Sequence, residues 1–280
     1  MQVRRIAPWG VACLTLAGVG FAATLDVVVP GHGDGALVVA SWFTATVASS
    51  AVGLLLATRR GANPIGWLLL ANGLVLAAFA VAIEYADYAV LAEPGALPGG
   101  EWAVLFNERA WPLLFVCVTA IAFVFPDGRL PSPAWRWVAL GTGASFAIVS
   151  VLSLLLAERF SDEFAHVSSP LPEVSGSIIG IPFLLSGLGA MGGLVAGAVA
   201  VATRLRRSSG VERYQLKWLA YAAALIPATV VVCLVEIAIR GEEGPAVTAA
   251  IVVTMIAIPV AIGVAITRYR LYQIDRLVSR

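Results

Sequence analysis

Eight stretches of about 20 predominantly apolar residues follow one another along this 280-residue chain, and they constrain it more than any other feature. A helix needs about 20 apolar residues to cross the roughly 30 Å hydrocarbon layer of a bilayer. The stretches at 6–29, 36–57, 65–84, 102–125, 137–157, 178–202, 219–239 and 247–266 all meet that length. They lack the period-2 alternation of barrel strands and are about twice as long, so helices are the expected form. Only 12% of the residues are charged, against about 25% in a soluble domain. That excludes a soluble enzyme, a nucleic-acid-binding domain, a disulfide scaffold and a disordered segment. The first stretch follows Arg4 and Arg5 but is too long for a secretory h-region, and no A-x-A site follows it, so it reads as an uncleaved span. The expected architecture is an all-α, polytopic membrane bundle of eight transmembrane helices over residues 1–267. A cytoplasmic amphipathic exit helix is expected over 268–280.

The net charge of +1 conceals a strong separation of signs. Eight spans place Arg4, Arg5, Arg59, Arg60, Arg129, Arg136, Arg204, Arg206, Arg207, Arg213, Lys217, Arg268, Arg270, Arg276 and Arg280 on one side, 15 of the 18 basic residues. Of the acids, only Asp127, Glu212 and Asp275 join them. By the positive-inside rule that side is cytoplasmic, with both termini on it, in an inner or plasma membrane. Trp9, Trp67, Trp135, Trp137 and Trp218 fall near the cytoplasmic span ends and Trp102 near an outer one, as an aromatic belt requires. The outer loops are short apart from the 20 residues at 158–177, too few for an extracytoplasmic domain. Cys13, Cys117 and Cys233 sit singly inside apolar runs and read as small buried hydrophobes.

Four segments on the cytoplasmic side stand out. Residues 59–69 read RRGANPIGWLL, with Asn63 placed to cap a helix and Pro64 at its first position. Residues 125–137 read FPDGRLPSPAWRW, a turn followed by prolines that oppose helix. Residues 206–222, RRSSGVERYQLKWLAYA, suggest helix running into the seventh span. In 268–280, RYRLYQIDRLVSR, Leu271, Ile274, Leu277 and Val278 form one helical stripe. In this order and spacing the chain resembles the N-terminal multi-span membrane region of actinobacterial sensor histidine kinases. The resemblance is carried by NPIGWLL (63–69), FPDGRL (125–130), ERYQLKW (212–218) and RYRLYQIDRL (268–277), from Arg59 to Arg280. It implies a sensor input module of a two-component system, relaying a stimulus through Leu271, Ile274, Asp275 and Leu277 to a cytoplasmic signalling domain or partner protein. In such kinases a phosphoacceptor histidine and an ATP-binding fold follow. Here His32 and His166 fall in outer loops, so this chain is not expected to be an enzyme unless the natural protein continues past Arg280.

Ionisable groups inside spans are costly, which makes them candidates for function. Asp26, Glu84, Asp87, Glu108, Arg109 and Glu236 all fall near outer span ends. At 1.5 Å per residue, Glu84 lies about 29 Å from Ile65 and Glu236 about 27 Å from Trp218. One shared depth suits a single outer ligand-binding pocket in which Arg109 pairs an acid; snorkelling into headgroups is the alternative. No charge stands near a span centre, where transporters usually place substrate, so a small-solute transporter ranks second. No HExxH or other His–carboxylate cluster is present, and no metal, cofactor or catalytic residue is expected. Gly189, Gly193 and Gly197 recur every four residues, suited either to a homodimer face or to packing inside the bundle. Membrane lipids are the remaining expected partner, and nucleic acid is not one.

Overall fold

The computed structural model describes residues 3–28, 36–59, 63–240 and 244–269. Within them the chain is helical: α1 (Val3–Val28), α2 (Ala36–Arg59), α3 (Pro64–Ala86), α4 (Gly100–Arg109), α5 (Leu113–Val124), α6 (Trp135–Leu155), α7 (Gly176–Arg207), α8 (Gly210–Arg240) and α9 (Pro245–Tyr269). Seven helices are long and apolar enough to cross a membrane, and the α4–α5 pair makes an eighth if counted as one span. Large apolar side chains face outward along them, Ile181 at 73% exposure, Leu14 at 60% and Trp137 at 66% among them. Hydrocarbon, not water, suits such a surface.

α3 is the centre of the bundle. It touches α1, α2, α4 and α5, and 56% of its most apolar window is buried, against 22% for α1 and α6. Its first turn forms as the sequence predicts. Asn63 stays extended and its Oδ1 accepts the Ile65 N–H at 3.0 Å, with Pro64 at the first helical position. At the other end the helix does not stop near Glu84, because Asp87–Ala92 continues it as a wider turn. The span therefore runs over Pro64–Ala92.

Small residues bring α2 and α3 close enough for backbone to meet backbone. A Cβ at Gly66 would stand 2.6 Å from the Ala57 nitrogen, and one at Gly53 would stand 2.7 Å from the Leu70 nitrogen. Beside this seam Asn72, buried in α3, donates to the Ser49 hydroxyl at 3.0 Å. In hydrocarbon such a polar pair gains where an unmatched amide would cost. α8 and α9 are joined similarly, by a 2.8 Å hydrogen bond between the Thr229 and Thr254 hydroxyls.

Two expectations need correction. The span expected as one helix over 102–125 is two, α4 and α5, bent by 44° across Ala110–Pro112. Pro112 has no N–H to give, and its ring collides with the carbonyl four residues back in a continuous helix. The chain turns instead through short bonds, Leu113 N–H to Ala110 C=O at 2.9 Å and Leu114 N–H to Trp111 C=O at 3.1 Å. Of the three cysteines only Cys117 is buried; Cys233 is intermediate and Cys13 is exposed on the outer surface of α1.

Candidate functional site

Glu84 on α3 and Asp26 on α1 reach the same depth, and the packing of α1 against α3 brings them to one cavity. Val19, Thr46, Ile83 and the rings of Trp42 and Phe43 complete its wall, with a volume of about 60 Å³. That is room for about two waters or a group of similar size. Two carboxylates on an apolar and aromatic lining suit a cation or a strong hydrogen-bond donor, since the carboxylates accept and the rings offer their negative faces.

The other candidate residues lie elsewhere, so the single outer pocket is replaced by separate places. Glu236 on α8 serves α9: its Oε2 accepts the Val247 N–H at 2.9 Å, in the first turn of that helix. A carboxylate there satisfies one of the unpaired N–H groups of the helix start and complements its dipole. A Cβ at Gly244 would press on the Glu236 carboxylate and push this flexible side chain away from its bond. Arg240, one turn away, has its guanidinium 3.9 Å from Glu236. Asp87 is buried where α3 widens, next to Ala86 in the cluster formed with Val104 and Leu105.

Glu108 and Arg109 occupy the last turn of α4 and grip the long outer loop. Arg109 does pair an acid, but the partner is Glu158 of that loop, at 3.3 Å, and not one of the span residues. Its second Nη donates to the carbonyls of Glu158 at 2.8 Å and Arg159 at 3.3 Å. Its guanidinium also lies 5.5 Å from the centroid of the Phe160 ring. Glu108 accepts both the Ser161 N–H at 3.2 Å and the Ser161 hydroxyl at 3.0 Å. Phe160 and Phe164 are buried against Ala86, Val104 and Leu105, so the loop is folded onto α3 and α4. Its base is closed by Ala157 N–H to Val174 C=O at 3.0 Å and Val174 N–H to Leu155 C=O at 2.8 Å.

At the opposite end of the bundle the sequence motifs meet one another. Gly128 of FPDGRL has φ +73, a conformation only glycine adopts freely, and lies against NPIG. A Cβ on it would stand 2.7 Å from the Pro64 ring and 3.3 Å from the Asn63 Oδ1. Arg204, near the end of α7, donates to the carbonyl of Phe123 at 2.8 Å and also to those of Phe125 and Arg129. Leu216 and Leu219, in and just after ERYQLKW, are buried in one apolar cluster with Ile65 and Phe125. Arg204 stands in the sequence only as one basic residue among many, and nothing there marks it as the residue that ties this junction.

The glycine stripe is used within the chain. Gly189 and Gly193 face Ser145 and Thr142 of α6, and Gly197 faces Ala122 of α5. Leu271, Ile274, Asp275 and Leu277 lie outside the described residues, as does His32. Among the described residues no group of three or more His, Cys, Asp or Glu side chains is arranged to hold a metal ion. Comparison of the chain with protein-family models, with curated proteins and with solved structures returns no match.

Proposed function

We propose that this chain is the membrane-embedded input module of a two-component sensor. The stimulus is taken up in the outer half of the bundle, and its effect leaves through residues 268–280 to a cytoplasmic output domain or partner. Both termini face the cytoplasm of a plasma membrane in this reading, as the distribution of basic residues requires. The observation that carries it is the inner junction. The segments that bear the resemblance to sensor histidine kinases, NPIGWLL and FPDGRL, pack directly on each other and are tied to α7 by Arg204. α2 leads from that junction to the exit: Ala57 meets Gly66 of the motif, and Val52 meets Gly263 on α9. The Asp26–Glu84 cavity is the proposed sensing site.

The test is to read the coding sequence past Arg280 and to weigh the native membrane protein. Continuation into a cytoplasmic histidine-bearing helix is expected, and charged residues at Leu271 and Ile274 should then abolish output without affecting insertion. Output that is indifferent to Glu84→Gln with Asp26→Asn under every stimulus would remove the sensing site from the proposal. The bent α4–α5 pair favours one second reading, a small-solute transporter, because broken helices mark transport sites. A stop codon after Arg280 together with solute flux in proteoliposomes would establish that reading instead.

A further inference from the structure

The outer loop and the bent span form one mechanical unit. Its grip on α4 falls on Glu108 and Arg109, the two residues immediately before the break at Ala110–Pro112. The loop is in turn closed at its base on α6 and the start of α7, through the Leu155, Ala157 and Val174 bonds. Beyond the break, α5 carries the Phe123 carbonyl that Arg204 holds at the inner junction, and Phe125 follows its last turn. Twelve residues of helix span about 18 Å, so each 10° of change in the bend moves the inner end of α5 by about 3 Å. That displacement is as large as the hydrogen bonds it would disturb.

We infer that residues 156–174 are a strap whose latch on Glu108 and Arg109 sets the α4–α5 angle and, through it, the seat of α5 on Arg204. The strap is at the outer surface, and Glu158 of the latch is exposed at 62%. A solute or surface that competes for Glu158 or Ser161 frees the last turn of α4, and a break between two helices is where a small movement is absorbed and redirected. In the sensor reading, on which its biological use rests, the strap is where an outer event becomes an inner one. The mechanical coupling itself is measured without any output.

Two tryptophans report on the two ends of α5. Trp111 lies in the break, edge-on to Phe115 with centroids 6.4 Å apart, and Trp135 lies edge-on to Phe123 at 6.1 Å. The experiment is fluorine NMR of the full chain in lipid nanodiscs, labelled with 5-fluorotryptophan and assigned by Trp→Phe changes. Cys13, Cys117 and Cys233 are replaced by alanine, and Arg109→Lys removes the forked contact. Glu108→Cys with Ser161→Cys then opens the latch when reduced and recloses it when bridged by a short bis-methanethiosulfonate, which forms one disulfide with each thiol and releases methanesulfinate, all in one folded sample. The Trp111 and Trp135 resonances should both shift in the open form and return on bridging, while that of Trp9 on α1 stays in place. If that combination does not fold, Glu108→Ala with Arg109→Ala in the native cysteine background removes every side-chain bond of the latch and gives the open state alone, with the same expected shifts. A Trp111 resonance that ignores the latch, or one that moves while Trp135 does not, overturns the proposal.

Discussion

Gly66→Ala tests whether α2 and α3 are held by backbone contact. The added methyl would stand 2.6 Å from the Ala57 nitrogen, 2.9 Å from the Leu56 Cβ and 3.1 Å from the Ala57 Cα. None of these is the end of a flexible side chain, so the helices must part by about 0.8 Å to reach ordinary contact. Parting loosens Ile65, Leu69 and Leu70, all fully buried. Overpacking of a well-filled core costs about 1–3 kcal/mol, and rigid backbone on the far side puts this site at the upper end. Alanine returns up to about 1 kcal/mol through helix propensity. The net expectation is a loss of about 1–2 kcal/mol. Gly143→Ala is the control: it lies on α6 with nothing within 4 Å of its Cβ position and should gain rather than lose stability. The pair Gly53→Ala with Gly66→Ala sharpens the test. Once the first substitution has opened the seam, the 2.7 Å contact at Gly53 is relieved as well. The double variant should therefore cost little more than Gly66→Ala alone, a strong departure from additivity. Reversible unfolding in mixed micelles measures wild type, the two single variants, their double and the Gly143→Ala control. A Gly66→Ala protein as stable as wild type, or two costs that simply add, would refute backbone contact as the seam.

Other consequences can be checked separately. Asn72→Ala removes the donor to Ser49 and should cost about 0.6 kcal/mol and no more than about 1.7, the range for polar contacts between membrane helices; adding Ser49→Ala should cost little further in the same unfolding assay. Arg204→Lys replaces a fork by a single ammonium that cannot span three carbonyls, with an expected loss of about 1.5–3 kcal/mol. Its signature is faster hydrogen exchange at the Gly128 amide, which donates to Val124 at 2.8 Å, and an unchanged rate there would count against the junction. For sidedness, single cysteines at Ser161 and Ser132, both exposed, should be labelled by an impermeant thiol reagent from outside and from inside respectively. Labelling of both from one side would overturn the orientation.

Much of the fold is legible in the sequence because it depends on length and on local backbone chemistry. Span length places the helices, and the Asn63–Pro64 cap forms where the residue types demand it. The break at Pro112 is half legible: proline is visible, yet Pro182, Pro227 and Pro259 lie inside continuous helices. What separates Pro112 is its setting, beside an outer turn whose Glu108 and Arg109 are held by a loop 50 residues away. Sequence spacing carries no trace of that. The outer candidates show the same limit. The rise of a helix gives how far Glu84 and Glu236 lie along their helices, but not which neighbour each one faces. In a soluble protein the polar face of a helix supplies that direction; in a bilayer both the core and the lipid are apolar, and the azimuth is lost.

The loss of azimuth also explains where the polar contacts of this bundle lie. Between the helices, α2 and α3 rely on glycine and on one Asn–Ser pair, and α8 and α9 on a pair of threonines. Charged contacts gather at the two ends: Arg109 with Glu158 and Glu236 at the start of α9 toward one, Arg204 at the motif junction at the other. Guanidinium and carboxylate groups are affordable only near the interfaces, where water shares their solvation. The approaches to α5 are tied by arginine at both ends, Arg109 before its first turn and Arg204 around its last. A displacement at one end of this bundle therefore has a physical reason to reach the other by way of α5.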